Sequence, residues 1–277
     1  MDFKAKFNEY IVGFESYLKD YMKSISGVHQ TLDDAINYSL LSGGKRIRPV
    51  IMLAFCELLG GDKDCVYPFA CALEMIHTYS LIHDDLPCMD NDTMRRGKPC
   101  NHIVFGEDIA LLAGDALLTQ AFEIASSFKA PKDLINSQVR SINILANCAG
   151  SSGMVSGQCF DLHADKGSFS KADVINIYRL KTSKLFCAAA SIGAIMSGAD
   201  ENQIGLAENY GEKLGIAFQL IDDILDNETE FLSVFKDEKP DEFLKSLTLE
   251  AKEILGRIGV NTEFLISLTD YLTKRTN

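Results

Sequence analysis

The sequence predicts an all-α protein of about ten helices in one domain spanning residues 1–277. Three observations carry that prediction. Strand signals are nearly absent, with neither sustained apolar–polar alternation nor an Asn-Gly hairpin turn. Helical periodicity is widespread: Ile135, Val139, Ile142, Ala146 and Ala149 form one apolar stripe, and Leu244, Leu247, Ala251, Ile254 and Ile258 form another. Breaks fall at intervals that suit helices, at Gly43-Gly44, Gly60-Gly61, Arg96-Gly97-Lys98-Pro99, Pro131, Lys166-Gly167-Ser168 and Ser197-Gly198. No linker, low-complexity tract or repeat of fixed period divides the chain.

Composition narrows the function. With 47% apolar residues the chain has ample material for a core, and its net charge of −12 argues against nucleic acid as a partner. No stretch approaches the ~20 uninterrupted apolar residues of a membrane span, and no basic amphipathic helix stands out as an anchor. The first residues, Met1-Asp-Phe-Lys-Ala-Lys-Phe-Asn-Glu9, lack the apolar segment of a signal peptide, so a cytoplasmic location is expected. The eight cysteines form no C-x-x-C pair and sit mostly among apolar residues, which predicts reduced thiols.

In chain order, the first chemical element is Gly43-Gly44-Lys45-Arg46-Ile47-Arg48-Pro49. It places cations and glycines before a helix with Val50–Leu59 as its body, and a helix N-terminus so equipped suits phosphate. Next, His77, Ser80 and Asp84 fall at i, i+3, i+7 and draw a polar stripe toward Asp84-Asp85-Leu-Pro-Cys-Met-Asp90. Asp84 and Asp90 lie roughly 240° apart on an ideal helix, so they share no face unless the chain bends at Pro87 and brings Asp90 back. Arg95-Arg96-Gly97-Lys98 follows closely, and arginine forks match diphosphate oxygens.

Gln158 and Asp161, after Gly153 and Gly157, and Lys181-Thr182-Ser183-Lys184 are undiagnostic alone, since caps and surface patches look the same. The second acidic cluster is cleaner. Leu214, Ile216, Ala217, Phe218, Leu220, Ile221, Ile224 and Leu225 predict a buried helix, on which Gln219, Asp222, Asp223 and Asp226 recur at i, i+3, i+4, i+7. Carboxylates crowded beside a core need a balancing cation. Without sulfur or imidazole partners the ion that suits them is Mg²⁺, which often bridges to phosphate. Two acidic helices, two basic segments and apolar walls describe a central cavity for Mg²⁺ and two phosphorylated ligands with hydrocarbon bodies.

On the stretches GGKRIRP, EMIHTYSLIHDDLPCMDNDTMRRGKPCNH, GDALLTQAFE, GMVSGQCFDL, KTSKLF and GIAFQLIDDILD, the chain resembles the trans-isoprenyl diphosphate synthases, nearest the bacterial farnesyl diphosphate synthase type. The six motifs run in the family's order from Leu40 to Asp226. The resemblance implies the isoprenoid synthase fold, an all-α bundle around a central cavity, usually as a homodimer. By motif position, Asp84, Asp85, Asp90, Asp222, Asp223 and Asp226 would bind Mg²⁺, with Asp84, Asp85, Asp222 and Lys181 central to catalysis. Arg95, Lys181, Thr182 and Gln219 would hold an allylic diphosphate; Lys45, Arg48, His77 and Arg96 would hold isopentenyl diphosphate.

The implied chemistry is ionisation of the allylic diphosphate, attack by the alkene of isopentenyl diphosphate, and proton loss to the released diphosphate. Tyr79 and Ser80, one turn before Asp84, are the expected chain-length residues. A bulky floor at Tyr79 predicts farnesyl diphosphate as main product, with geranylgeranyl diphosphate the alternative. A terpene cyclase is disfavoured by the second acidic cluster and the isopentenyl-site cations. One departure favours a non-catalytic, prenyl-diphosphate-binding partner subunit: after Asp226 the family has a flexible lid carrying two lysines, whereas here Asn227-Glu-Thr-Glu230 runs straight into Phe231. The expectation is that the sequence is joined across a lid the protein possesses.

Overall fold

The computed structural model describes residues 2–25, 27, 29–163, 170–226, 232–235, 239–259 and 261–274. Among them lie thirteen α-helices, eleven longer than seven residues, so the expected helical architecture holds. In chain order these are α1 Phe3–Ser24, α2 Gln30–Leu40, α3 Ile47–Leu58, α4 Tyr67–Asp84, α5 Asn101–Phe105, α6 Glu107–Ser127 and α7 Ile135–Ala149. There follow α8 Met154–His163, α9 Lys171–Ile177, a π-helical stretch Tyr178–Ser183, α10 Lys184–Met196, α11 Glu201–Asp226, α12 Pro240–Ile258 and α13 Glu263–Thr273. The junction after Asp226, where the sequence departs from the family it resembles, lies outside the described residues.

Three helices are apolar nearly all round, and their burial organises the rest. α3, α4 and α10 contribute Val50–Cys56, Phe69–Ile76 and Leu185–Met196 to one continuous core. A second cluster joins Val174 and Tyr178 to Ile216, Leu220, Leu244 and Leu247, and so clamps the acidic end of α11. The stripe Leu244, Leu247, Ala251, Ile254 and Ile258 is buried along α12.

α7 departs from its apolar periodicity. Its buried face is Gln138, Ser141, Leu145, Cys148 and Ala149, while Ile135 and Val139 face outward. Gln138 wins the inner position because its amide Nε2 donates to the carbonyls of Ala125 and Phe128, at 3.0 and 2.6 Å, and satisfies the end of α6. A two-stranded ribbon, β1 Met94–Arg95 with β2 Lys98–Pro99, was not expected either. It turns at Arg96-Gly97, where both residues have positive φ as a tight hairpin requires. All eight cysteines are free thiols, as expected.

Candidate active site

α4 runs helical as far as Asp84 and stops, because the chain cannot continue through Pro87 as regular helix. The next residues fold back until the Asp90 amide donates to the Asp84 carbonyl at 2.9 Å, which brings the two carboxylates to one cavity. Asp85 goes another way. It is 3% exposed, and its Oδ1 accepts from Arg95 Nε at 2.6 Å; the Cys100 thiol also bonds to it. The β-ribbon thus has a purpose: it carries Arg95 to Asp85 and Arg96 to the Gly43 carbonyl, to which Arg96 donates at 2.6 Å.

α11 supplies the opposing acids from an unbroken helix. Gln219 and Asp222 line the same cavity as Asp84 and Asp90. Asp223, 5% exposed, accepts hydrogen bonds from the Tyr178 hydroxyl and from Gln219 Nε2, the latter at 2.9 Å. Gln219 Oε1 in turn accepts from Thr182 Oγ1 at 2.6 Å. Asp226 ends the helix and is exposed. The π-helical stretch carries Lys181 and Thr182 into the wall, and such a widened turn is a common device for aiming functional side chains. Gly157 on α8 packs directly on it; a methyl there would overlap the Lys181 backbone nitrogen. Lys181 Nζ is held 2.5 Å from Asp161 Oδ2.

Two cavities adjoin. The larger, about 720 Å³, has acids and cations at one end (Asp84, Asp90, Asp222, Arg95, Lys181) and Tyr79, Leu111, Met154, Leu162, Leu185 among its apolar walls. The smaller, about 410 Å³, is basic and lined by Lys45, Arg46, Arg48, His77 and Arg96. Arg48, His77 and Phe218 line both, so the cavities share a wall.

The basic end is strained electrostatically. Burial, followed by the nearby Arg96, holds Arg48 down to about 10, against the pull of Glu74 and Asp222. Its Nε is buried without a hydrogen-bond partner, and its guanidinium stacks 4.9 Å from the Phe186 ring centroid. Burial and then four arginines hold His77 well below its ordinary range, so it is neutral at pH 7. Cations held this way are ready for an anion. Arg46, between Lys45 and Ile47, is different: it donates at 2.7 Å to both Glu15 and Glu74 and at 2.8 Å to the Leu40 carbonyl, pinning the loop so that Lys45 and Arg48 line the cavity.

The acidic end has the complementary problem. Burial, helped by Asp90 and Asp85 and opposed by Lys181 and Arg95, raises Asp84 to about 6. Among the described residues no three His, Cys, Asp or Glu side chains converge on one point as a protein-only metal cage would require. Oxygen donors from two helices, Asp84 and Asp90 from one and Asp222 from the other, fit Mg²⁺, a hard ion that takes few protein oxygens and keeps several waters.

Residues 29–240 match the polyprenyl synthetase family. The chain belongs to that family. It is a prenyltransferase of isoprenoid biosynthesis, and the curated relatives agree. It is 45% identical over 265 residues to a geranylgeranyl diphosphate synthase of Cyanophora paradoxa, covering 88% of this chain and 87% of the relative. A farnesyl diphosphate synthase of Geobacillus stearothermophilus is 45% identical over 221 residues, covering 80% and 74%. A geranyltransferase from Legionella pneumophila shares the fold with a TM-score of 0.92 at 34% identity over 99% of this chain and 98% of its own. The Cyanophora alignment takes in 88% of a 277-residue chain, about 244 residues, over 265 positions, so that relative has about twenty residues with no counterpart here.

Of the residues singled out in this prenyltransferase by sequence, Arg48, His77, Tyr79, Ser80, Asp84, Asp90, Arg95, Lys181, Thr182, Gln219 and Asp222 line the larger cavity. Lys45 and Arg96 line the smaller. Asp85, Asp223 and Asp226 line neither; the first two are engaged with Arg95 and Tyr178 instead. Sequence reasoning passed over His83, Tyr178 and Arg46, whose partners lie on other helices. It noticed Asp161 without finding its role, which the ion pair to Lys181 supplies.

Proposed function

We propose that the protein condenses an allylic diphosphate, dimethylallyl or geranyl, with isopentenyl diphosphate, with farnesyl diphosphate the main product and geranylgeranyl diphosphate the alternative. The observation that carries this reading is the pair of adjoining cavities, one acidic-ended and apolar-walled, the other basic. Asp84, Asp90 and Asp222 would hold Mg²⁺, with Asp226 one turn beyond Asp222 as a further ligand. When bound, Mg²⁺ would supply charge neutralisation for the departing diphosphate. Lys181 and Arg95 add fixed positive charge beside the leaving group, and Thr182 and Gln219 orient it. Lys45, Arg48, His77 and Arg96 hold the second diphosphate so that its alkene lies next to the allylic carbon. Apolar walls keep water from the cation. Asp85 and Asp223 act from behind, by fixing Arg95 and the Tyr178–Gln219 wall.

Most of the similar relatives are named as geranylgeranyl diphosphate synthases and one as a farnesyl diphosphate synthase, so the farnesyl reading rests on Tyr79, a buried ring in the cavity wall one turn before Asp84. A homodimer is supported by large apolar side chains outside the two cavities: Ile103 and Val104 of α5 and Leu112 of α6 are each about half exposed, as a helix pair covered by a partner would leave them. α6 is long and apolar enough to cross a membrane by length and composition, but its inner face packs in the core, so a second copy accounts better for the outer one. The test is incubation with Mg²⁺, isopentenyl diphosphate and dimethylallyl diphosphate, followed by chromatography of the dephosphorylated products. Farnesol as the chief alcohol supports the proposal. A cyclic hydrocarbon would indicate a cyclase, and no condensation a non-catalytic partner subunit.

A further inference from the structure

His83 lies one residue before Asp84 and also lines the larger cavity, four residues after Tyr79 on the same side of α4. Besides the Asp115 carboxylate of α6, whose Oδ1 lies 4.0 Å from Nε2, three contacts fix its ring. Tyr79 stands against it edge-on, with ring centroids 5.7 Å apart. Nε2 lies 3.0 Å from the carbonyl oxygen of Leu111 on α6, and since a carbonyl only accepts, Nε2 carries the proton. The third contact is steric: the ring occupies the space where residue 114 would have a side chain, so a methyl on Gly114 would overlap Nε2, Cδ2 and Cε1 together. α4 and α6 are therefore close enough to seat an imidazole only because residue 114 is glycine, and Tyr79 leans on that imidazole.

We propose that His83, seated in the notch left by Gly114, is a specificity-determining residue that sets product length together with Tyr79. Tyr79 blocks the growing chain, and His83 blocks the route beside it and keeps the Tyr79 ring from swinging away. The inference rests on the reading of this cavity as the place where the chain grows. Its consequences have opposite signs. Shortening residue 83 removes part of the obstruction and releases Tyr79, so products lengthen. Adding a methyl at residue 114 expels the imidazole from its notch; the α6 backbone is behind it and Tyr79 beside it, so the ring moves into the cavity and products shorten. Once the imidazole is gone, the methyl has nothing to expel.

The experiment measures the ratio of twenty- to fifteen-carbon products for wild type, Tyr79→Ala, His83→Ala, His83→Asn, Gly114→Ala and the His83→Ala/Gly114→Ala double variant, with far-UV circular dichroism confirming helicity. His83→Asn keeps a donor for the Leu111 carbonyl and serves if the alanine variant does not fold. We expect His83→Ala and His83→Asn to raise the ratio roughly tenfold, in line with what a few carbon atoms of pocket are worth. Gly114→Ala should lower it, and in the double variant the Gly114→Ala effect should vanish, a non-additivity reserved for groups in contact. If Tyr79→Ala lengthens products while the His83 and Gly114 variants leave the ratio unchanged or act additively, the inference is overturned and the chain-growth reading stands. If Tyr79→Ala also changes nothing, both fall.

Discussion

Asp84 and Asp90 reach the cavity through a broken helix, whereas Asp222 reaches it from the regular body of α11. In both clusters the neighbouring aspartate turns its back. Asp85 is held by Arg95 and Cys100, and Asp223 by Tyr178 and Gln219. Adjacent residues on a helix point about 100° apart, so two consecutive aspartates cannot both face one point, and each cluster divides into a carboxylate for the cavity and one for the scaffold. The supports differ in kind. The first needs a ribbon from outside the helices to deliver a cation; among the supports of the second are neutral donors already packed in a helical layer.

The largest expected effect is on the cavity-facing side. Asp84→Ala or Asp222→Ala should abolish condensation with the helical fold intact, and thermal stability without metal should hold or rise, because a crowded carboxylate has been removed. Near wild-type turnover at saturating Mg²⁺ would refute the metal role. On the rear side, Asp85→Asn and Asp223→Asn should cost about ten- to a hundredfold in turnover, the range for groups that orient rather than bind. Unlike the first pair they should also destabilise, by about 1–3 kcal/mol, since Arg95 loses its counter-charge and an amide at residue 223 offers only one oxygen to the two donors Tyr178 and Gln219. Equal unfolding midpoints for both variants and wild type would remove the scaffold role of the rear pair.

A smaller effect concerns pH. Burial raises Asp84 from 3.8 to about 6, so the folded, metal-free protein holds that proton more tightly than the unfolded chain. Its contribution therefore favours folding below about pH 4 and is lost as pH rises through about 6. Asp84→Asn should be more stable than wild type at pH 7.5, on the order of 1–2 kcal/mol after screening, with the gap closing near pH 4. Thermal melts across that range check it, and a gap of constant size would show that Asp84 is not desolvated as described.

Much of this arrangement was legible in the chain because it is local. The helices follow from periodicity, and the return of Asp90 to Asp84 follows from Pro87. What stayed hidden was non-local. Gln138 displaces the apolar stripe of α7 because it answers carbonyls at the end of α6, and nothing near Gln138 announces those. Asp84 and Asp85 are the same residue type side by side, so only the position of Arg95 tells which is scaffold. His83 reads as one more polar residue at a helix end until α6 presents Gly114 against it.

The division of the clusters is tested most directly by calorimetric titration of Mg²⁺ with inorganic diphosphate into wild type and the Asp84→Asn, Asp85→Asn, Asp222→Asn and Asp223→Asn variants. Binding should disappear in the Asp84 and Asp222 variants and persist in the other two, weakened by no more than about ten- to a hundredfold. Loss of binding in all four alike, or retention in Asp84→Asn and Asp222→Asn, would contradict the account.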